Sequence, residues 1–231
     1  MWFARSECAA GQGGRGFTRI QLMVALVLTG IVAAAGLLVL KSKFFPAGKK
    51  FAANKSAKAI YTWLQAYANE HDQEFPQAKD FSNEAFRQLF VMGYLDDETT
   101  FAIPGDAWLN HAPGGRKMPD NRIGSAPDFA EALQPGECSY FYVTGLDAAD
   151  QSNLPLLGNA FSETVGVYSK DKTKKGGILY PKAVWVSVGG AARIIDVGED
   201  LRARMAPDGK ETPLFPESWG TKIKDVKNPA P

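Results

Sequence analysis

The chain has 231 residues, of which 45% are hydrophobic and 22% charged, with a formal net charge of +1. Such a composition fits one globular domain plus a membrane segment and excludes two large soluble domains. A near-neutral charge gives no general affinity for nucleic acid, and no nucleic-acid partner is expected.

Residues 1–16 carry Arg5 and Arg15 against Glu7, so the remainder is electrically neutral. From Ile20 to Leu40 the only polar side chains are Gln21 and Thr29. As a helix rising about 1.5 Å per residue this run spans roughly 32 Å, enough to cross a bilayer core of about 30 Å. A secretory h-region is shorter, about 7–15 residues, and is followed by a small-residue cleavage site. Here the bulky, charged "LLVLKSKFFP" follows instead, so the apolar run is expected to stay with the protein.

In front of that run, "GGRGF" sets a charged, glycine-rich leader directly against a phenylalanine, followed by "TRIQLMVALVLTGIVAAAGLL". This segment resembles the type IV pilin and type II secretion pseudopilin family. The resemblance implies that a prepilin peptidase cuts after Gly16 and methylates Phe17, the first mature residue. It also implies an inner-membrane assembly platform, other pilin or pseudopilin subunits as partners, and a helix that leaves the lipid bilayer for a filament. Small residues Ala25, Gly30, Ala33, Ala34, Ala35 and Gly36 would let neighbouring helices approach closely.

The fifth mature residue in most of the family is glutamate, thought to meet the N-terminal amine of a neighbouring subunit; here it is Gln21. A glutamine accepts a hydrogen bond from an amine but cannot neutralise it, whereas a carboxylate in lipid needs a cation. Both a minor, tip-located subunit and an ordinary subunit that tolerates glutamine stay open. Basic residues Arg5, Arg15 and Arg19 precede the span, and Lys41, Lys43, Lys49, Lys50, Lys55 and Lys58 follow it. The positive-inside rule alone would therefore place the C-terminal part in the cytoplasm. The leader resemblance implies the opposite: a single-pass inner-membrane protein with a periplasmic domain, or an extracellular one in a filament.

After the span the helix is expected to continue, interrupted near Pro46, with Ala53, Ala57, Ile60, Leu64, Tyr67 and His71 forming one stripe at three- and four-residue steps. His71 reads as a packed, hydrogen-bonded residue rather than a ligand. A second helix is predicted in "FSNEAFRQLFVMGYL", with Ser82 as N-cap, Phe81 and Phe86 as a hydrophobic staple, Glu84 in the first turn and Gly93 as terminator. The Gly- and Pro-rich stretch from Pro104 to Gly136 reads as a long surface loop.

Strand signals come late, in "CSYFYV" (138–143), "VGVYSK" (165–170, an edge) and "KAVWVSV" (182–188), whose Val184, Val186 and Val188 share one face. Gly189 and Gly190 suit a two-residue hairpin turn returning through "AARIIDV" (191–197). The predicted class is α+β, pilin-like: a long N-terminal helix, membrane-spanning in its first half and amphipathic in its second, packed on a small C-terminal antiparallel sheet. Its parts are a leader (1–16), an assembly helix (17–45), an exported domain (46–197) and a poorly ordered tail (198–231). The pattern "EAFRQLF … YLDDETTFAIPG … KKGGILYPKAVWVSVGGAARI" also resembles pilin-like proteins with a prepilin-type N-terminus from the Planctomycetes and Verrucomicrobia group.

Catalytic signatures are missing. There are two histidines, His71 and His111, and no GxSxG, HExxH, CxxC or phosphate loop, so no enzyme is expected. With the leader removed Cys138 is the remaining cysteine, read as a small buried hydrophobe rather than a reactive thiol. In "GLDAADQSN", Asp147, Asp150 and Asn153, with Ser152, offer oxygens to a hard cation such as Ca²⁺. The EF-hand glycine and distal glutamate are missing, so an ordinary Asx-rich turn is the favoured reading of the same residues, with a calcium site as the alternative. No other cofactor is implied. The competing class is a single-span protein whose periplasmic domain binds a ligand or hydrolyses a substrate, without processing at Gly16.

Overall fold

A computed structural model describes residues 52–103, 106, 108–109, 119–171, 173–177, 182–205, 212–215 and 225–231. The chain divides into two compact units, Met1–Phe45 and Pro46–Pro231, and every described residue belongs to the second. The expected leader and assembly helix over 1–45 lie outside the described residues. Among the described residues, no helix is long and apolar enough to cross a membrane.

Helix α1 covers residues 52–70. Ala53, Ala57, Ile60 and Leu64 are buried, as their spacing predicts, and the stripe continues through Ala68 rather than Tyr67. Tyr67 sits on the shoulder, its ring stacked on His71 at 3.8 Å. His71 Nδ1 lies 2.8 Å from the Tyr67 carbonyl oxygen, which gives the packed, hydrogen-bonded histidine expected.

Helix α2, Ser82–Val91, buries Ala85, Phe86, Leu89 and Phe90 at helical spacing. Its N-cap is Phe81, in extended conformation, rather than the expected Ser82. The Ser82 hydroxyl is drawn away by tertiary structure and donates to the Tyr140 carbonyl oxygen at 2.8 Å. Glu84 closes the preceding turn, with one carboxylate oxygen accepting the N–H groups of Lys79 and Asp80. The staple is not a buried pair either, because Phe81 is 38% exposed while Phe86 is buried. At the other end Gly93 takes φ +72. Its N–H reaches the Phe90 oxygen and that of Tyr94 the Leu89 oxygen, which is the Schellman closure that a left-handed glycine permits.

The architecture is α+β. Strands β1 (Tyr140–Val143), β2 (Pro155–Asn159), β3 (Lys182–Ser187), β4 (Ala192–Asp196) and β7 (Val226–Lys227) form one antiparallel sheet in the order β4-β3-β2-β1-β7. Strands β5 (Arg204–Met205) and β6 (Thr212–Pro213) form a separate two-stranded ladder.

The helices cover the sheet face that carries Tyr140 and Tyr142. The Tyr140 hydroxyl donates to the Ala53 oxygen and that of Tyr142 to the Pro76 oxygen, while the Phe86 and Tyr142 rings meet edge-on at 5.4 Å. Phe141 points to the other face, stacked on Phe161 at 4.6 Å. Phe161, Tyr168, Ala203 and Leu214 bury that second face. This explains why β3 departs from the expected one-sided alternation: Ala183 and Trp185 are as buried as Val184 and Val186. At Gly158 a Cβ would stand 2.6 Å from the Val184 oxygen and 2.7 Å from the Phe141 ring, so the strand accepts only glycine there without rearrangement.

Four other expectations are corrected. The β3–β4 turn is longer than two residues: Ser187 N–H bonds to the Ala191 oxygen around Val188, Gly189 and Gly190, and Gly190 alone of the two glycines has positive φ. The 165–170 segment contributes isolated bridges, Val167 with Arg202 and Ser169 with Gly177, instead of a strand. The 104–136 stretch is not wholly a surface loop, because Ala132 and Leu133 are fully buried. They are held by the Asn83 amide on the Leu133 oxygen and by Arg87 Nε on the Ala132 oxygen.

The expected poorly ordered tail beyond Gly198 is also corrected over its described part. β7 pairs Tyr142 with Lys227 and Val143 with Val226, completing the sheet beside β1. Asn228 then ties the end of the chain to the second layer, its Nδ2 donating to the Phe161 and Ser162 oxygens and its Oδ1 accepting the Phe161 N–H. Proline and charge content suggest disorder, but Pro229 and Pro231 follow a strand made at the sheet edge, where a missing N–H costs no ladder bond.

Candidate functional site

Gly16, Phe17 and Gln21, the residues with the strongest sequence assignment, lie outside the described residues. The remaining sequence candidates fall in the loop after β1. Asp147 forms a bridge with Glu74, and the Ala148 N–H donates to the Gln73 oxygen, so this loop docks on the end of α1. Asp147 Oδ1 accepts the Ala149 N–H at 2.8 Å and Asp150 Oδ2 accepts the Asp147 N–H at 3.1 Å. These are the hydrogen bonds of an Asx turn. Asn153 does not join them; it stands at the tip of the β3–β4 hairpin.

The carboxylates that do converge, among the described residues, are Glu98, Asp120 and Glu137, with one oxygen from each within 4.8 Å of the others. Glu98 and Glu137 are buried and Asp120 is exposed. Glu98 Oε1 accepts the Leu133 N–H in a short hydrogen bond and Oε2 accepts the Asn121 N–H at 3.1 Å, while Asn121 Oδ1 accepts the Glu98 N–H at 3.1 Å. Glu137 Oε2 accepts the Gln134 N–H at 2.6 Å. Burial pushes the Glu98 carboxyl above its usual range, opposed by these backbone hydrogen bonds and reinforced by the charges of Asp120 and Asp97. The cluster therefore laces the 119–137 segment to the turn at Thr99–Phe101. No local spacing announces it, since the three residues are widely separated in sequence and each looks like an ordinary surface acid.

A second place was also missed. On the side of the β3–β4 hairpin away from the helices, a depression of about 190 Å³ is lined by Ser152, Asn153, Trp185, Ser187, Ala191 and Arg193. Trp185 and Arg193 are cross-strand partners. The wall is held by the loop itself: Gly189 N–H donates to the Ser152 oxygen and Val188 N–H to the Leu154 oxygen. A Cβ on Gly189 would lie 2.8 Å from that of Ser152, so glycine is what allows this close approach. Trp185 is buried, and its Nε1–H has no acceptor among the described residues. An unsatisfied buried donor costs about 1–3 kcal/mol, so its presence calls for a reason.

Cys138 is buried beneath β1, where burial pushes its thiol up to about 12. A protonated, enclosed thiol is a poor nucleophile, in keeping with a packing role.

No family model, curated protein or solved structure matches this chain.

Proposed function

We propose that the protein is a pilin-like structural subunit of a type IV pilus or type II secretion pseudopilus, processed after Gly16 and assembled through the helix that begins at Phe17. The observation that carries this reading is the sequence of residues 14–40: a charged, glycine-rich leader, a Gly-Phe junction, and an apolar run long enough to span a bilayer. The exported domain supports it, with a helix along one face of a small antiparallel sheet.

In this reading the apolar helix serves lipid first and neighbouring subunits afterwards, and its small residues allow close helix approach. Gln21 accepts a hydrogen bond from a neighbour's N-terminal amine without neutralising its charge. The peptidase and the motor that drives assembly are separate proteins, and this chain acts as a building block rather than as an enzyme. It resides in the inner membrane as a single-pass protein with its C-terminal domain outside the cytoplasm.

Gly16→Ala tests the reading directly. A prepilin peptidase acting there leaves the variant at precursor length while the wild-type chain is shortened; equal lengths for both would refute processing at this junction.

A further inference from the structure

Residues 225–231 lie in a groove that the rest of the domain builds around them. The Thr144 N–H donates to the Asp225 oxygen, and the Ser82 N–H, at the start of α2, donates to the Asn228 oxygen. The Phe161 N–H donates to Asn228 Oδ1 and the Gly136 N–H to the Ala230 oxygen. Lys175 Nζ donates to the Pro229 oxygen at 2.7 Å, and Asn83 Oδ1 accepts the Ala230 N–H. Ser82, Gly136, Thr144 and Phe161 are all buried, so four enclosed N–H groups find their acceptors on this one segment.

The groups that line the groove are positioned independently of it. Asn83 Nδ2 is fixed on the Leu133 oxygen, the Ser82 hydroxyl on the Tyr140 oxygen and the Thr144 hydroxyl on Gln77 Oε1. The groove is therefore preformed, and emptying it would orphan buried donors, so it requires an occupant. The occupant has little regular structure of its own: the two residues of β7, followed by the buried Pro229 and Ala230. Nine residues, 216–224, join it to Phe215. At about 3.3–3.6 Å per residue such a connection can reach about 35 Å, more than the roughly 30 Å diameter of a small domain.

We infer that residues 225–231 form an exchangeable strap: the groove accepts the same segment from a second copy of this chain, and exchange joins the two copies. Every contact in the exchanged pair is one that a single chain already makes. Exchange therefore needs no new recognition surface, and its cost is the freedom lost on association. Copies held close together offset that cost. The groove and the strap both belong to the described domain, so the inference does not rest on the proposed role in a filament.

The test traps the exchange covalently. Val143 and Val226 are partners in the β1–β7 ladder. The neighbouring bond from the Thr144 N–H to the Asp225 oxygen makes theirs a non-hydrogen-bonded pair, whose Cα atoms stand about 4.5 Å apart, within disulfide range. Full-length Val143→Cys and Val226→Cys chains, each in a Cys8→Ser background with the buried Cys138 kept, are mixed in detergent at rising concentration, oxidised and weighed by intact mass. Thr144→Cys mixed with Asp225→Cys supplies a second pair one step along the ladder, which guards against a folding defect in the first. The control mixes Val143→Cys with Ile194→Cys, exposed on β4 at the opposite edge of the sheet. The expected result is a mixed disulfide dimer from the strap pairs, in a yield that rises with concentration, and none from the control. The inference is overturned if neither strap pair gives a mixed dimer, or if the control gives as much of it.

Discussion

The side-chain oxygen of Asn83 accepts the backbone N–H of Ala230 at 2.8 Å, joining the first turn of α2 to the end of the chain across 147 positions. The same side chain donates through Nδ2 to the Leu133 oxygen at 2.8 Å. One fully enclosed amide thus holds three segments that share no regular secondary structure. The Ala230 oxygen in turn accepts the Gly136 N–H, so the terminal strap and the 133–137 segment are stitched twice.

Asn83→Ala orphans a buried N–H and a buried carbonyl at once. Each unsatisfied group costs about 1–3 kcal/mol, so the variant is expected to lose about 3 kcal/mol of stability in denaturant unfolding. A loss under about 0.5 kcal/mol would show that the strap is not held this way.

Gly158 and Gly145 form a contrasting pair. A Cβ at Gly158 collides with the Val184 oxygen and the Phe141 ring, whereas at Gly145, with φ +74, nothing lies within 4 Å. Gly158→Ala is expected to cost more than about 2 kcal/mol through overpacking, and Gly145→Ala about 1 kcal/mol through backbone strain alone. Thermal unfolding of the two variants decides the order, and a reversed ranking would contradict the packing described for the second sheet face.

Glu98 should give the stability curve an acid-side signature. Burial raises its carboxyl in the folded chain, so the folded state takes up a proton at a higher pH than the unfolded state does. The stabilisation from this group is complete below the ordinary glutamate range and is lost as pH rises through the raised folded value. Glu98→Gln removes that dependence and leaves the Asn121 N–H facing an amide. The wild-type advantage over Glu98→Gln, measured by unfolding at fixed ionic strength, is therefore expected to grow as pH falls from neutral. An advantage that shrinks on acidification would contradict the assignment.

Asp147 and Asp150 spend carboxylate oxygens on their own turn, so Asp147→Asn, which keeps an acceptor, is expected to be nearly neutral, and Asp147→Ala to cost about 1 kcal/mol. With the oxygens so used, calcium is expected to leave the melting temperature unchanged. A calcium-dependent rise that disappears in Asp147→Asn would instead make this loop a metal site.

How much of this was legible in the sequence follows from the range of each interaction. The α1 stripe through Ala53, Ala57, Ile60 and Leu64, the glycine that ends α2, and the β3–β4 hairpin are all written in local periodicity or turn chemistry. Ser82 misled because its hydroxyl, a good local cap, found a tertiary acceptor at Tyr140. β7 was hidden because a two-residue strand at a sheet edge has no periodicity to read, and its place depends on β1 and Asn228. The acidic cluster and the hairpin depression were invisible for the same reason, since Glu98, Asp120 and Glu137, or Asn153 and Arg193, meet only after folding. The proposed leader is a different case: a junction that a peptidase would read is linear, so that proposal rests on the sequence alone and on no feature of the fold.

That junction is also where the central claim is most directly tested. Intact-mass and N-terminal sequence determination of the protein isolated from its native membranes should give a chain beginning at Phe17 with a methylated amino group. A chain beginning at Met1, or one cut on the far side of the apolar run beyond Leu40, would contradict the pilin-like account.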